Sequence, residues 1–211
     1  MRFIETTLPG AFVIESELQH DERGFFARTF CRNEFRQNGL NPDLTQCNIS
    51  FNRQRGTLRG MHFQAPPRAE AKLVRCTLGA AYDVVVDLRP TSPAFKQWAG
   101  VELTAENRKM IYAPEGLAHG FITLADNTEL FYQMSEFFDP ACARGVRSND
   151  PAFGIRWPET PRTISERDQS YPDRDGPGAR DRRERLHRAQ LSAAPCRRGI
   201  RGERRQFTGV A

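Results

Sequence analysis

Four side chains in this sequence could together move a proton off and onto a carbon: His62, Lys72, Tyr132 and Asp168. Proton removal beside a ketone needs a base, a cation to hold the enolate oxygen, a donor on the opposite face and a carboxylate that orients the imidazole. A His, a Lys, a Tyr and an Asp can fill those roles. Each also has a plainer reading: His62 as a hydrogen-bonded structural histidine, Lys72 as a solvated strand residue, Tyr132 as a barrel aromatic, Asp168 as a helix cap. Linear spacing leaves both sets open. The four histidines are His20, His62, His119 and His187, and Gln64 occupies the place two residues after His62 where a metal-binding barrel wants a second imidazole. No bound metal or other cofactor is expected.

Short strands must position these residues. Segments rich in β-branched and aromatic residues recur between Gly, Pro and Asn at 12–16, 25–31, 46–51, 57–64, 72–78, 82–89, 98–103, 110–112, 120–124 and 129–137. That spacing predicts an all-β sandwich or barrel, with helix only over 32–38 and around 165–169. In 82–89, Tyr82, Val84, Val86 and Leu88 share one face and Asp83, Val85, Asp87 and Arg89 the other, which predicts one packed and one polar face. Gln46, Asn48 and Ser50 likewise oppose Cys47, Ile49 and Phe51, presenting a polar stripe to a barrel lumen or to solvent. In 57–64, alternation groups His62 with Leu58, Gly60 and Gln64. A small barrel with polar interior groups can hold a ligand.

The chain of 211 residues is long enough for one domain with a core that needs no disulfides. Its five cysteines, Cys31, Cys47, Cys76, Cys142 and Cys196, are odd in number and widely spaced, so they read as free thiols in a reducing cytosol. Residues 1–10 lack the basic and apolar regions of a secretion signal, and no apolar run approaches the ~20 residues that span a bilayer. Neither a membrane nor a nucleic acid is expected as a partner. The net charge of +5 belongs to the C-terminal segment, where residues 174–211 hold eleven Arg against four acidic residues. Poor in aromatic and β-branched residues, that segment is expected to be a disordered Arg-rich tail behind a folded domain over 1–173.

Six segments carry a resemblance to a known family: Asp21-Glu22-Arg23-Gly24-Phe25-Phe26, Leu58-Arg59-Gly60-Met61-His62-Phe63-Gln64, Lys72-Leu73-Val74-Arg75, Tyr82-Asp83-Val84-Val85-Val86-Asp87-Leu88-Arg89, Pro114-Glu115-Gly116-Leu117-Ala118-His119-Gly120-Phe121 and Ser165-Glu166-Arg167-Asp168. In this order and spacing, from about Thr7 to Asp173, the chain resembles the dTDP-4-dehydrorhamnose 3,5-epimerase family. The resemblance implies a metal-free cupin-type jelly-roll β-barrel with short peripheral helices, acting as a homodimer on a nucleotide-linked 4-keto-6-deoxy sugar. It implies His62 as general base oriented by Asp168, Tyr132 as general acid, and Lys72 as stabiliser of the C4 enolate. Arg23, Gln46, Asn48, Arg59, Lys72, His119 and Arg167 would hold the nucleotide sugar. A guanidinium fork at Arg23 or Arg59 suits diphosphate oxygens. Alternation puts Arg59 and His62 on opposite faces, so a bulge near Gly60 is expected if both reach one site.

Three positions depart from the family's usual pattern. Arg28 and Ala143 stand where Glu is common, at the nucleotide end, and Phe138 stands where Tyr is usual, near the sugar. Competing expectations are therefore an epimerase of a CDP- or GDP-linked 4-keto sugar, an epimerase acting at one carbon only, and a sugar-binding cupin without turnover.

Overall fold

The structure, a computed structural model, describes residues 1–173. The tail expected over 174–211 lies outside the described residues. Fourteen strands and two short helices follow in the order β1 Arg2–Glu5, β2 Phe12–Glu15, β3 Gln19–Asp21, β4 Gly24–Phe26, α1 Arg32–Gln37, β5 Gln46–Asn52, β6 Thr57–Gln64, β7 Lys72–Leu78, β8 Ala80–Asp87, β9 Trp98–Thr104, β10 Lys109–Ala113, β11 Leu117–Thr123, β12 Thr128–Met134, β13 Ala143–Gly145, β14 Thr163–Ile164 and α2 Glu166–Gln169. One sheet has the strand order β1-β2-β10-β7-β12-β5. The other runs β13-β6-β11-β8-β9, with β14 beside β6, and β3 and β4 form a separate hairpin. The fold is mostly β with few helices, and no described helix is long and apolar enough to cross a membrane.

Period-two alternation decides what each sheet buries. Val74 and Cys76 of β7, Ile111 of β10 and Leu130 of β12 pack against Val85 of β8, Leu103 of β9 and Leu117 and Phe121 of β11 in one apolar cluster shared by both sheets. Two further clusters cover the outer faces. On the first sheet, Ile14, Leu73, Met110 and Tyr112 pack under Phe35 of α1. That helix has six residues and no side-chain cap, so Phe35 is what docks it. Its ring lies 4.8 Å from Phe30 and 5.6 Å from Phe3 between centroids. On the second sheet, Met61, Val84 and Val86 pack under Val146, Phe153 and Trp157.

The expectation of one packed and one polar face on the strand near 82–89 is corrected. Asp83, Val85 and Asp87 are as fully buried as Val84 and Val86. Both faces of β8 are covered, and the two carboxylates tolerate this because each has a cationic or hydrogen-bonding partner. Asp83 bonds His119, and Asp87 accepts from Arg89 and Ser92. The Asp87 carboxylate also takes the Arg89 backbone N–H at 2.9 Å, a turn that ends the strand before Arg89. The strand expected over 25–31 shrinks to Gly24–Phe26, because its only ladder partner among the described residues is the three-residue β3. Beyond it Phe30 packs against the cluster under α1. The polar stripe of β5 faces inward: Gln46, Asn48 and Ser50 are half-buried, whereas Ile49 and Phe51 are 63% and 45% exposed.

Candidate active site

A cavity of about 400 Å³ opens at the polar end of the core, lined by Arg59, His62, Glu70, Lys72, His119 and Tyr132 among others. Its walls come from both sheets. Lys72, on the same side of β7 as Val74 and Cys76, and Tyr132, on the same side of β12 as Leu130, come from the first sheet. His62 of β6 and His119 of β11 come from the second and are register partners. Imidazole and phenol thus project from facing sheets into one space.

The expected bulge is present. Between β6 and β11 the pairs His119↔His62 and Phe121↔Arg59 leave one extra residue in β6, at Gly60–Met61. The extra residue resets the alternation, so Arg59 and His62 both line the cavity while Met61 turns into the outer cluster. Grouping His62 with Leu58 by strict alternation is corrected accordingly. Only glycine serves at residue 60: its φ is +135°, and a Cβ there would sit 2.5 Å from the Cα of Gly120.

Asp168 reaches His62 through a chain of local bonds. Ser165 caps α2 by accepting the Asp168 backbone N–H at 3.1 Å, which turns the Asp168 side chain back toward β6. Its carboxylate accepts the Gly60 N–H at 3.1 Å and meets His62 Nε2 at 2.7 Å. Burial pushes this carboxyl up, but the bonds from His62, Gly60 and Ser165 outweigh it and hold the group below its usual range. An ionised acceptor at Nε2 requires the proton to be there, which leaves the lone pair of a neutral ring on Nδ1. The ring also meets Tyr171 edge-on at 6.2 Å, and the Tyr171 hydroxyl accepts from Arg167 Nε at 2.9 Å. Tyr171 lies over Gly145, where a Cβ would come within 2.2 Å of its ring.

Burial raises the Tyr132 phenol above its usual pKa, against the opposing charge of Arg59, so it stays protonated at neutral pH. Arg59 is aimed by Asn52, whose Oδ1 accepts from Nε at 2.7 Å. Lys72 is ion-paired with Glu70 and lies 3.5 Å from the carbonyl oxygen of His62. His119 Nε2 meets Asp83 Oδ2 at 2.8 Å, and burial raises the Asp83 carboxyl although His119 opposes it.

Of the residues singled out from sequence, His62, Lys72, Tyr132, Arg59, His119 and Arg167 line this cavity, and Asp168 bonds His62 behind it. Gln46 and Asn48 are joined by a 3.0 Å bond and share the inward face of β5 with Ser50, which does line it. Arg23 stands apart, on the β3–β4 hairpin with its side chain 90% exposed and paired with Asp21. Of the departures, Phe138 and Ala143 line the cavity, and Arg28 pairs with Glu34 at 2.8 Å. Gln64, in the place of a second imidazole, is buried as a bracket: its amide donates to the Arg68 and Phe137 carbonyls and its oxygen accepts the Asp139 N–H. Glu70, Asp83 and Tyr171 were not among the candidate site residues read from the sequence. Glu70 had one signal, its place two residues before Lys72.

Known proteins match this chain in sequence and in fold. The family model described as dTDP-4-dehydrorhamnose 3,5-epimerase matches residues 5–175. A dTDP-4-dehydrorhamnose 3,5-epimerase from Methanothermobacter thermautotrophicus is 43% identical over 180 residues, covering 83% of this chain and 96% of the relative. The crystal structure of one from Bacillus anthracis, with TDP and PPi bound, superposes with a TM-score of 0.78 at 39% identity, covering 82% of this chain and 98% of that one. A dTDP-6-deoxy-D-glucose-3,5-epimerase from Legionella pneumophila, in complex with dTDP-4-keto-L-rhamnose, superposes with a TM-score of 0.75 at 34% identity, covering 81% and 90%. Matched by the family model over residues 5–175 and 43% identical to a relative covered to 96% of its length, the chain belongs to the dTDP-4-dehydrorhamnose 3,5-epimerase family of isomerases.

Proposed function

We propose that the protein epimerises dTDP-4-dehydro-6-deoxy-D-glucose at C3 and C5 to dTDP-4-dehydro-L-rhamnose, supplying deoxysugar for surface polysaccharide. The observation that carries this reading is the facing pair: the Asp168-bound His62 on one sheet and the protonated Tyr132 on the other, across one cavity. C3 and C5 flank the C4 carbonyl, so they carry the acidified ring protons. Inversion at either carbon requires deprotonation on one face and reprotonation on the other.

His62 Nδ1 takes the carbon-bound proton, and Asp168 balances the imidazolium that results. The electron pair moves into a C4 enolate held by the Lys72 ammonium. Tyr132 then delivers its phenolic proton to the opposite face, the enolate collapses to the ketone, and solvent restores both groups. Arg59 and Arg167, at the cavity wall, take the diphosphate, with Gln46, Asn48 and His119 as further substrate contacts and Arg23 as one from the β3–β4 hairpin. No metal or other cofactor takes part. Residues 1–173 form the catalytic unit, a cupin-type jelly roll that works as a cytoplasmic homodimer.

Phe138 favours a second reading. It lines the sugar cavity with a ring that has no proton to give, so Tyr132 is the only phenol among the described residues of that wall. One donor suits inversion at one carbon. Incubation with dTDP- and CDP-linked 4-keto-6-deoxyglucose in D₂O, followed by NMR, tests both. Deuterium with inversion at C3 and C5 of the dTDP sugar is expected; inversion at one carbon selects the second reading, and a CDP preference overturns the nucleotide assignment.

A further inference from the structure

Glu70 is a charged residue in the cavity wall for which the mechanism above has no use. Its side chain is only 2% exposed. One oxygen, Oε1, is ion-paired with the Lys72 ammonium, while Oε2 is buried and receives no hydrogen bond from the described residues. A buried carboxylate oxygen without a donor is costly and calls for an explanation. Asp83 Oδ1 is another, but its carboxyl is held by His119 away from the cavity lining, whereas Glu70 is a lining residue. The residue that carries it lines the cavity in which the sugar is proposed to sit.

We propose that Glu70 is a specificity residue that reads the hydroxyl beside the reacting ketone, a deepening that rests on the function proposed above. With Lys72 on the C4 oxygen, Oε2 of the paired carboxylate accepts the neighbouring C3 hydroxyl. The geometry is one of adjacency. The two carboxylate oxygens share a carbon, and an α-hydroxyketone offers a carbonyl oxygen and a hydroxyl in the same side-by-side relation. Of the two carbons flanking C4, only C3 bears a hydroxyl; C5 bears a methyl group and the ring oxygen, neither of which donates. The contact therefore tells the two apart and sets the ring's orientation before a proton moves.

The test compares dTDP-4-keto-6-deoxyglucose with its 3-deoxy analogue, using deuterium exchange at C5, a carbon both sugars keep. The wild type should prefer the 3-hydroxy sugar in kcat/KM by about 10- to 100-fold, as expected for a hydrogen bond to a charged group. Glu70→Gln, whose amide can stay on Lys72 while its NH₂ faces the hydroxyl, should shrink that preference to about threefold or less. If the variant slows both sugars equally and keeps the wild-type ratio, Glu70 serves Lys72 alone and the proposal is overturned. A wild type that exchanges neither sugar overturns the functional reading as well, and that outcome is visible without the variant. Should Glu70→Gln not fold, the 3-deoxy-3-fluoro sugar decides with wild-type protein. Fluorine cannot donate and would face a carboxylate, so this sugar should compete less well than the 3-deoxy one; equal or tighter binding overturns the proposal.

Discussion

His62 and Tyr132 are proposed to act at different moments, and this makes their variants separable. Without His62 no C–H bond breaks, so His62→Ala should lose both epimerisation and deuterium exchange, each by about 10²- to 10⁴-fold. Tyr132→Phe still forms the enolate, which the returning imidazolium can reprotonate from the original face. It should lose epimerisation while keeping measurable exchange with retention. Lys72→Ala should resemble the His62 variant, since an unstabilised enolate raises the first barrier. Wild-type exchange rates in His62→Ala would remove it as the base. The Asp168 carboxyl makes a second prediction at this scale. Its folded-state pKa lies below the ordinary 3.8, so the stability it contributes is complete above that value and is lost as pH falls through the lower folded-state one. Melting temperature should fall across that acid window, and it should fall less in Asp168→Asn, which has nothing to titrate there. Equal slopes for the two proteins would mean that the His62 pair does not govern acid stability.

At the scale of the element, β6 matters most, because its bulge turns Arg59 and His62 to the same side. Gly60→Ala would place a Cβ against the Gly120 backbone at a φ that L side chains rarely adopt. Strain of that kind costs about 1–3 kcal/mol before any clash is counted. A relaxed strand without the bulge would return Arg59 and His62 to opposite faces. The variant should therefore melt several degrees lower and lose most of its turnover even where it remains folded, as circular dichroism and kinetics together would report. A stable variant with unchanged kcat would mean that the bulge is not what aligns the site. The short helix α2 acts in the same way, since Ser165 and Asp168 form one capping unit whose acidic member is also the partner of His62.

At the largest scale, residues 1–173 divide their labour between a covered core and a polar cavity with walls from both sheets. Residues 174–211 lie outside the described residues, and whether activity needs them is testable. The family model ends at residue 175, and the relative from Bacillus anthracis is matched over 98% of its length by 82% of this chain. A chain ending at Asp173 should keep kcat/KM within about twofold and its melting temperature nearly unchanged, as for segments without apolar periodicity. Aggregation of the truncated protein, or a melt lowered by several degrees, would show that the segment packs. Outside the cavity lining, Phe26, Leu78 and Phe137 are large apolar side chains more than half exposed on one chain. Sedimentation should accordingly give a dimer at micromolar concentration, and a monomer would count against the homodimer.

Strands that alternate cleanly were legible from the residues alone, as were the chemical types that could work together. Segments 46–51, 57–64 and 72–78 coincide with β5, β6 and β7 to within a residue, because period-two alternation is a local property of the chain. Resemblance supplied the roles of His62, Lys72, Tyr132 and Asp168, since no rule of spacing joins residues that are up to 106 positions apart. Burial on both sides of β8 was hidden, because whether Asp83 and Asp87 face water depends on what other segments cover them. The length of β4 was hidden for a like reason, as a strand extends only as far as its partner. Glu70 was not singled out from the sequence, because only the closed sheets bury it beside Lys72 with one oxygen unbonded. Alternation is written in neighbouring residues, whereas enclosure arises only when distant strands close around the same space, and tertiary structure alone decided it.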